Sequence, residues 1–142
     1  MREEIIRIKL KDIRDSLEKV KTHLPQTLEE FLNLGLVKDG IYKKVEFMIE
    51  NVLDICKIIN TDLNLGLPKK DVDIIENLVK HKIISKEMGE KVKEMKSFRN
   101  ILVHRYGEIE DEIAYEEIKN GLEDFERFEK EIEEFLQKIK TK

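Results

Sequence analysis

The segment SFRNILVHRYG, residues 97–107, places Arg99, Asn100, His104, Arg105 and Tyr106 around four apolar positions. Arg99, His104 and Tyr106 follow the spacing R-x4-H-x-Y. Histidine titrates near neutrality, so it can take a proton from a hydroxyl or return one to a leaving oxygen. Arginine stays charged, and its fork of donors suits a phosphate on which negative charge is building. Together they fit cleavage of an RNA phosphodiester. RNA carries its own nucleophile, the 2′-hydroxyl, so neither a metal nor a covalent enzyme intermediate is required. One histidine does not easily serve as both acid and base. Two copies of the motif facing one groove of a two-fold dimer answer that need.

Spacing limits how these groups meet. On an ideal helix a five-residue step turns about 140° and rises about 7.5 Å, so Arg99 and His104 do not share a stripe. Their Cβ atoms stand roughly 10 Å apart, a gap that a long guanidinium closes at a shared phosphate. Asn100 and His104, at i and i+4, do share a face. The set is expected to converge at the C-terminal end of its helix, most readily where the last turn loosens. Plainer roles exist for each residue. His104 and Arg105 complement a helix dipole, Tyr106 packs, and Asn100 orients His104.

The elements that must carry this segment read as helices. Ile6, Leu10, Ile13, Leu17, Val20 and Leu24 recur at intervals of four and three over residues 3–23, and Pro25 stops the run. Thr27 and Glu30 make a capping box for a short helix that Gly35 closes. A long helix is predicted from about residues 38–40 to about 63, with Ile41, Val45, Met48, Val52, Ile55, Ile59 and Leu63 inward. A shorter one follows over 71–80, with Val72, Ile75, Leu78 and Val79 inward. Ser85 caps the motif helix, whose stripe is Met88, Val92, Met95, Phe98 and Leu102. That helix is predicted to end near Arg105 or Tyr106, with Gly107 in the left-handed conformation. Asp111 caps a last helix lined by Ile118, Leu122, Phe125, Ile132, Phe135 and Ile139. No segment alternates with period two. The fold class is all-α, a bundle of about four main helices plus short ones, in a single domain over residues 1–142.

Composition narrows the partners. The 142 residues are 40% hydrophobic and 41% charged, with a net charge of −4. Residues 80–106 nevertheless hold eight Lys/Arg against three Glu, while residues 107–142 hold six basic and thirteen acidic side chains. The motif therefore lies in a basic segment of an acidic chain. On charge alone the plainer reading is a solvated lysine-rich face. The Lys/Glu-rich, Trp-free composition hints at a thermophilic source. A single cysteine, Cys56, fits a reducing cytosol, and no apolar run is long enough for a membrane span. The N-terminus MREEIIRIKL does not read as a signal peptide. A cytoplasmic protein with no membrane association, no metal and no cofactor is expected.

RNILVHRY matches the R-x4-H-x-Y signature of HEPN-domain proteins, and the chain resembles the HepT-type toxins over nearly its whole length. VEFMIENVLDICKIIN places Glu50 and Asp54 where HepT-like proteins carry an acid pair. NLVKHKIIS and EKVKEMKSFRNILVHRYGEIEDE follow in the family's order. The resemblance implies a HEPN-type up-and-down helical bundle. It also implies a homodimeric, metal-independent ribonuclease, the toxin of a type VII toxin–antitoxin system. Arg99 and His104 would be catalytic, with Asn100 and Tyr106 shaping the site. The implied partner is a cognate minimal nucleotidyltransferase antitoxin that transfers AMP to Tyr106, within a homodimer or a larger hetero-oligomer. The alternative is a non-catalytic HEPN adaptor that binds a nucleotidyltransferase or RNA.

Overall fold

A computed structural model, describing residues 1–140, turns each apolar stripe into a helix. Helix α1 (Glu3–His23) buries Ile6, Leu10, Ile13, Leu17 and Val20 on one face. The short α2 (Leu28–Leu32) starts at Thr27, whose side chain accepts from the Glu30 N–H at 3.2 Å and donates to the Glu30 carboxylate at 2.9 Å. Helix α3 (Leu36–Asp62) begins earlier than the pattern predicts. Gly35, at φ 61°, reverses the chain directly into it, a conformation that costs glycine little. Helix α4 (Asp71–Lys80) buries Ile74 with Ile75 and Leu78, while Val72 and Val79 are half-buried.

Helix α5 (Lys86–His104) is capped by Ser85, whose hydroxyl accepts from the Met88 N–H at 3.0 Å. It stops at His104, short of the predicted end. Arg105 leaves helical geometry at φ −132°, and Tyr106–Glu108 form a 3-10 turn. Gly107 lies inside that turn and is not left-handed. Helix α6 (Asp111–Lys140) buries Ile118, Phe125 and Ile132 as predicted, and Ala114, Tyr115, Phe128 and Leu136 with them. Leu122 and Phe135 pack partly, and Ile139 is exposed.

Ion pairs between helices show the topology. Arg2–Asp62 and Lys9–Asp54 join α1 to α3. Arg99–Glu50 joins α5 to α3, Arg127–Glu87 joins α6 to α5, and Arg7–Glu133 with Arg14–Glu129 joins α6 to α1. The N-terminal part of α1 meets the C-terminal parts of α3 and α6, and the start of α5 meets the middle of α6. Arg99 meets the middle of α3, while Tyr106, just past α5, meets Asp39 in the first turn of α3. The four long helices therefore run up, down, up and down, as a HEPN-type bundle requires. No strand occurs among the described residues. Cys56 is buried in α3, where desolvation pushes its thiol up to about 12, so it is core. Met88 and Met95 are core as well, while His23 and His81 are exposed at helix ends.

Candidate active site

Arg99 points from α5 toward α3. Its Nη2 donates to Glu50 Oε1 at 3.1 Å, and its Nε is buried with no hydrogen-bond partner among the described residues. The side chain as a whole keeps 28% exposure. Glu50 thus receives the cation that the acid pair in α3 offers to take up. Asp54 does not share that role: it accepts from Lys9 of α1 at 3.2 Å.

Asn100, His104 and Arg105 are all exposed at the end of α5. Asn100 and His104 lie one turn apart on the same face, as their spacing requires. Among the described residues no side-chain hydrogen bond joins Arg99, Asn100, His104 and Tyr106 to one another.

Tyr106 is placed by contacts that spacing did not reveal. Its hydroxyl donates to the Asp39 carboxylate at the start of α3, and its ring meets Tyr42 edge-on at 6.0 Å. Tyr42 donates to Asp111 at 2.5 Å, and Lys38 donates to the same carboxylate at 2.7 Å. The network ties the 3-10 turn to the N-terminal ends of α3 and α6. Burial, then the hydrogen bond to Asp39, pushes the Tyr106 phenol up to about 12. Burial opposes the Asp111 charge, but hydrogen bonds from Lys38 and Tyr42 outweigh it and hold that carboxyl below its usual value. Asp111, read from the sequence as the cap of the last helix, is instead the first residue of α6, and its carboxylate serves as a strut to Lys38 and Tyr42. Asp39, Tyr42 and Lys38 carry no signal at motif distance, because they lie more than sixty residues before Tyr106 and Asp111 in the chain.

One chain holds Arg99 and Tyr106 apart rather than bringing them together. Asp39 and Glu50, which accept from them, stand about 16 Å apart along α3 at roughly 1.5 Å per residue. The guanidinium and the phenol are thus anchored near opposite ends of the motif.

Residues 13–132 match the family model described as Ribonuclease HepT-like. The chain belongs to the HepT-like ribonuclease family. It is 30% identical over 92 residues to the mRNA nuclease HepT of Shewanella oneidensis, covering 65% of this chain and 69% of that protein. A solved structure of a tri-AMPylated Shewanella oneidensis HEPN toxin in complex with MNT antitoxin is 26% identical, with a TM-score of 0.81 over 91% of this chain and 96% of that one. The Bacillus subtilis cytosolic protein YutE, at 19% identity, shares the fold, with a TM-score of 0.84 over 97% of this chain and 92% of its own.

In this HepT-like chain a sizeable groove lies away from the motif. It measures about 850 Å³ and runs between α5 and α6, floored by Phe98, Ile101 and Leu122. None of Arg99, Asn100, His104 and Tyr106 lines it. Its rim holds Glu94, Glu112, Glu116, Glu117 and Asp124, a charge that repels a phosphate backbone. Burial and the neighbouring Glu94 raise Glu117, and burial raises Asp124. The motif's polar side chains lie outside this acidic groove. No helix among the described residues is long and apolar enough to cross a membrane.

Proposed function

We propose that this protein is the ribonuclease toxin of a type VII toxin–antitoxin pair, a single domain over residues 1–142. In this reading Arg99 binds the scissile phosphate and His104 moves the proton. Asn100 orients His104, and Tyr106 is where a cognate nucleotidyltransferase antitoxin adds AMP and switches the enzyme off. The observation that carries the reading is the end of α5: His104 and Tyr106 are exposed two residues apart, and Arg99 of the same helix is held by Glu50 through one nitrogen of its fork. Membership of the family and the tri-AMPylated relative in complex with its antitoxin support it.

The chemistry follows from the side chains. The 2′-hydroxyl attacks the adjacent phosphorus, and His104 accepts its proton. Arg99 neutralises the added charge on the phosphoryl oxygens. The leaving 5′-oxygen needs a proton from a second group, which a second copy's motif supplies across a shared groove. Ile101 and Val103, each 39% exposed beside the motif, offer apolar surface to that copy. AMP on Tyr106 would bring phosphate charge and bulk into the substrate's place.

The Glu50–Arg99 pair favours a second reading, in which the cation is already satisfied and the protein only binds RNA or a nucleotidyltransferase. Cleavage of a short RNA in EDTA separates the two. The toxin reading expects 2′,3′-cyclic phosphate ends and no cut where the 2′-hydroxyl is replaced by hydrogen. Cleavage that needs an added divalent metal, or that proceeds on the 2′-deoxy site, would overturn the mechanism. Absence of cleavage with partner binding intact would favour the adaptor.

A further inference from the structure

Tyr106 is a poor nucleophile as it stands. With the phenol pushed up to about 12, only about one molecule in 10⁵ is phenolate at pH 7. Transfer of a nucleotidyl group to it needs a base in contact with the hydroxyl. The structure supplies one within the same chain. The Tyr106 hydroxyl donates to the carboxylate of Asp39, an exposed residue in the first turn of α3. The neighbouring charged groups are committed elsewhere: Lys38 and Tyr42, both on α3, donate to Asp111 of α6. His104, two residues before Tyr106, makes no hydrogen bond to the phenol.

We propose that Asp39 is the general base for adenylylation of Tyr106, so that the protein being modified supplies the proton acceptor for its own inactivation. This rests on the reading of Tyr106 as the modified residue. As the phenolic oxygen attacks the α-phosphorus of ATP, its O–H bond breaks and the proton passes to an Asp39 oxygen. The new O–P bond forms, the bond from the α-phosphorus to pyrophosphate breaks, and pyrophosphate leaves with that electron pair. Asp39 then releases its proton to water, which reaches it because the residue is exposed. Tyr42, edge-on to the Tyr106 ring and fixed by Asp111, keeps the phenol turned toward Asp39.

The test is single-turnover transfer from ATP by saturating cognate nucleotidyltransferase, followed by the mass of the Tyr106 peptide. Wild type, Asp39→Asn, Asp39→Glu and His104→Ala are compared across pH. Asp39→Asn keeps an acceptor oxygen but removes the base, so its rate should fall about 10²-fold or more. The residual rate should climb with pH as phenolate forms, whereas the wild-type rate stays flat above about pH 6. Asp39→Glu should recover at least about a tenth of the wild-type rate. A rate for Asp39→Asn equal to wild type overturns the proposal, as does a loss without a change in the pH profile, which marks a merely structural role. Loss in His104→Ala with Asp39→Asn unaffected moves the base to His104. Should Asp39→Asn not fold, the wild-type pH profile decides alone: a steady rise toward about pH 12 excludes a carboxylate base. A wild type that gains no mass at Tyr106 removes the underlying reading instead, before any variant is compared.

Discussion

Replacing Glu50 by Gln separates two roles that one ion pair can play. Arg99 and Glu50 meet through a single contact of 3.1 Å, with side chains 28% and 38% exposed. At that exposure the pair contributes roughly 0.5–1 kcal/mol, because solvent screens it. Gln keeps an acceptor of the same shape and removes the charge. We therefore expect a fall in Tm of about 2 to 4 °C. Under the proposed role of Arg99 at the phosphate, the guanidinium released from the Glu50 charge should bind RNA about two- to fivefold more tightly, the same 0.5–1 kcal/mol expressed as a ratio. Glu50→Ala also removes the acceptor and lets the long side chain swing, so it should lower kcat by about tenfold where Gln leaves it near wild type. Melting curves, RNA affinity and single-turnover cleavage of the two variants provide the readout. A kcat for Glu50→Gln as low as that of Glu50→Ala, at an unchanged Tm, would refute the reasoning. The carboxylate itself would then take part in proton transfer.

Three other perturbations probe the scaffold. A Cβ on Gly89 would stand 2.5 Å from Val79 Cγ2, across the α4–α5 contact. Gly89→Ala gains up to about 1 kcal/mol of helix propensity, yet overpacking against a stiff β-branched side chain costs about 1–3 kcal/mol. We expect net destabilisation by thermal melting, against the usual direction for Gly→Ala in a helix. Asp111 is held below its usual value by Lys38 and Tyr42, against burial, so its folded pKa is depressed. Its stabilising contribution is present above the unfolded pKa of about 3.9 and is lost as pH falls through the folded one. The Tm gap between wild type and Asp111→Asn should therefore be widest near neutrality and close below about pH 4. The Cys56 thiol, pushed up to about 12 by burial, should react with a thiol reagent only in denaturant; rapid labelling of the native protein would contradict its place in the core.

Much of the fold was legible because apolar periodicity records which face of a helix is buried. Ile6 to Val20 and Met88 to Leu102 read correctly for that reason. Helix ends were less legible where tertiary contacts decide them. Gly35 reads as the stop of a short helix, yet its positive φ starts α3. Gly107 reads as a left-handed cap, but Tyr106 is drawn to Asp39 and Tyr42 and the chain takes a 3-10 turn instead. The types and spacing of Arg99, Asn100, His104 and Tyr106 were visible at once. What each one touches was not, because Glu50 and Asp39 come from another helix and pair across the bundle. Spacing on α5 also suggested convergence, whereas anchoring to separate turns of α3 holds Arg99 and Tyr106 apart.

The most direct test of RNA cleavage through His104 is its rate in EDTA for wild type and His104→Ala. Both proteins must first be shown to be equally helical and in the same oligomeric state. His104 is exposed at the last residue of α5, so its removal should leave the core intact. Loss of a proton-transfer group predicts a rate lower by about 10²- to 10⁴-fold. Cleavage by His104→Ala within about threefold of wild type would contradict a role for this histidine in the reaction.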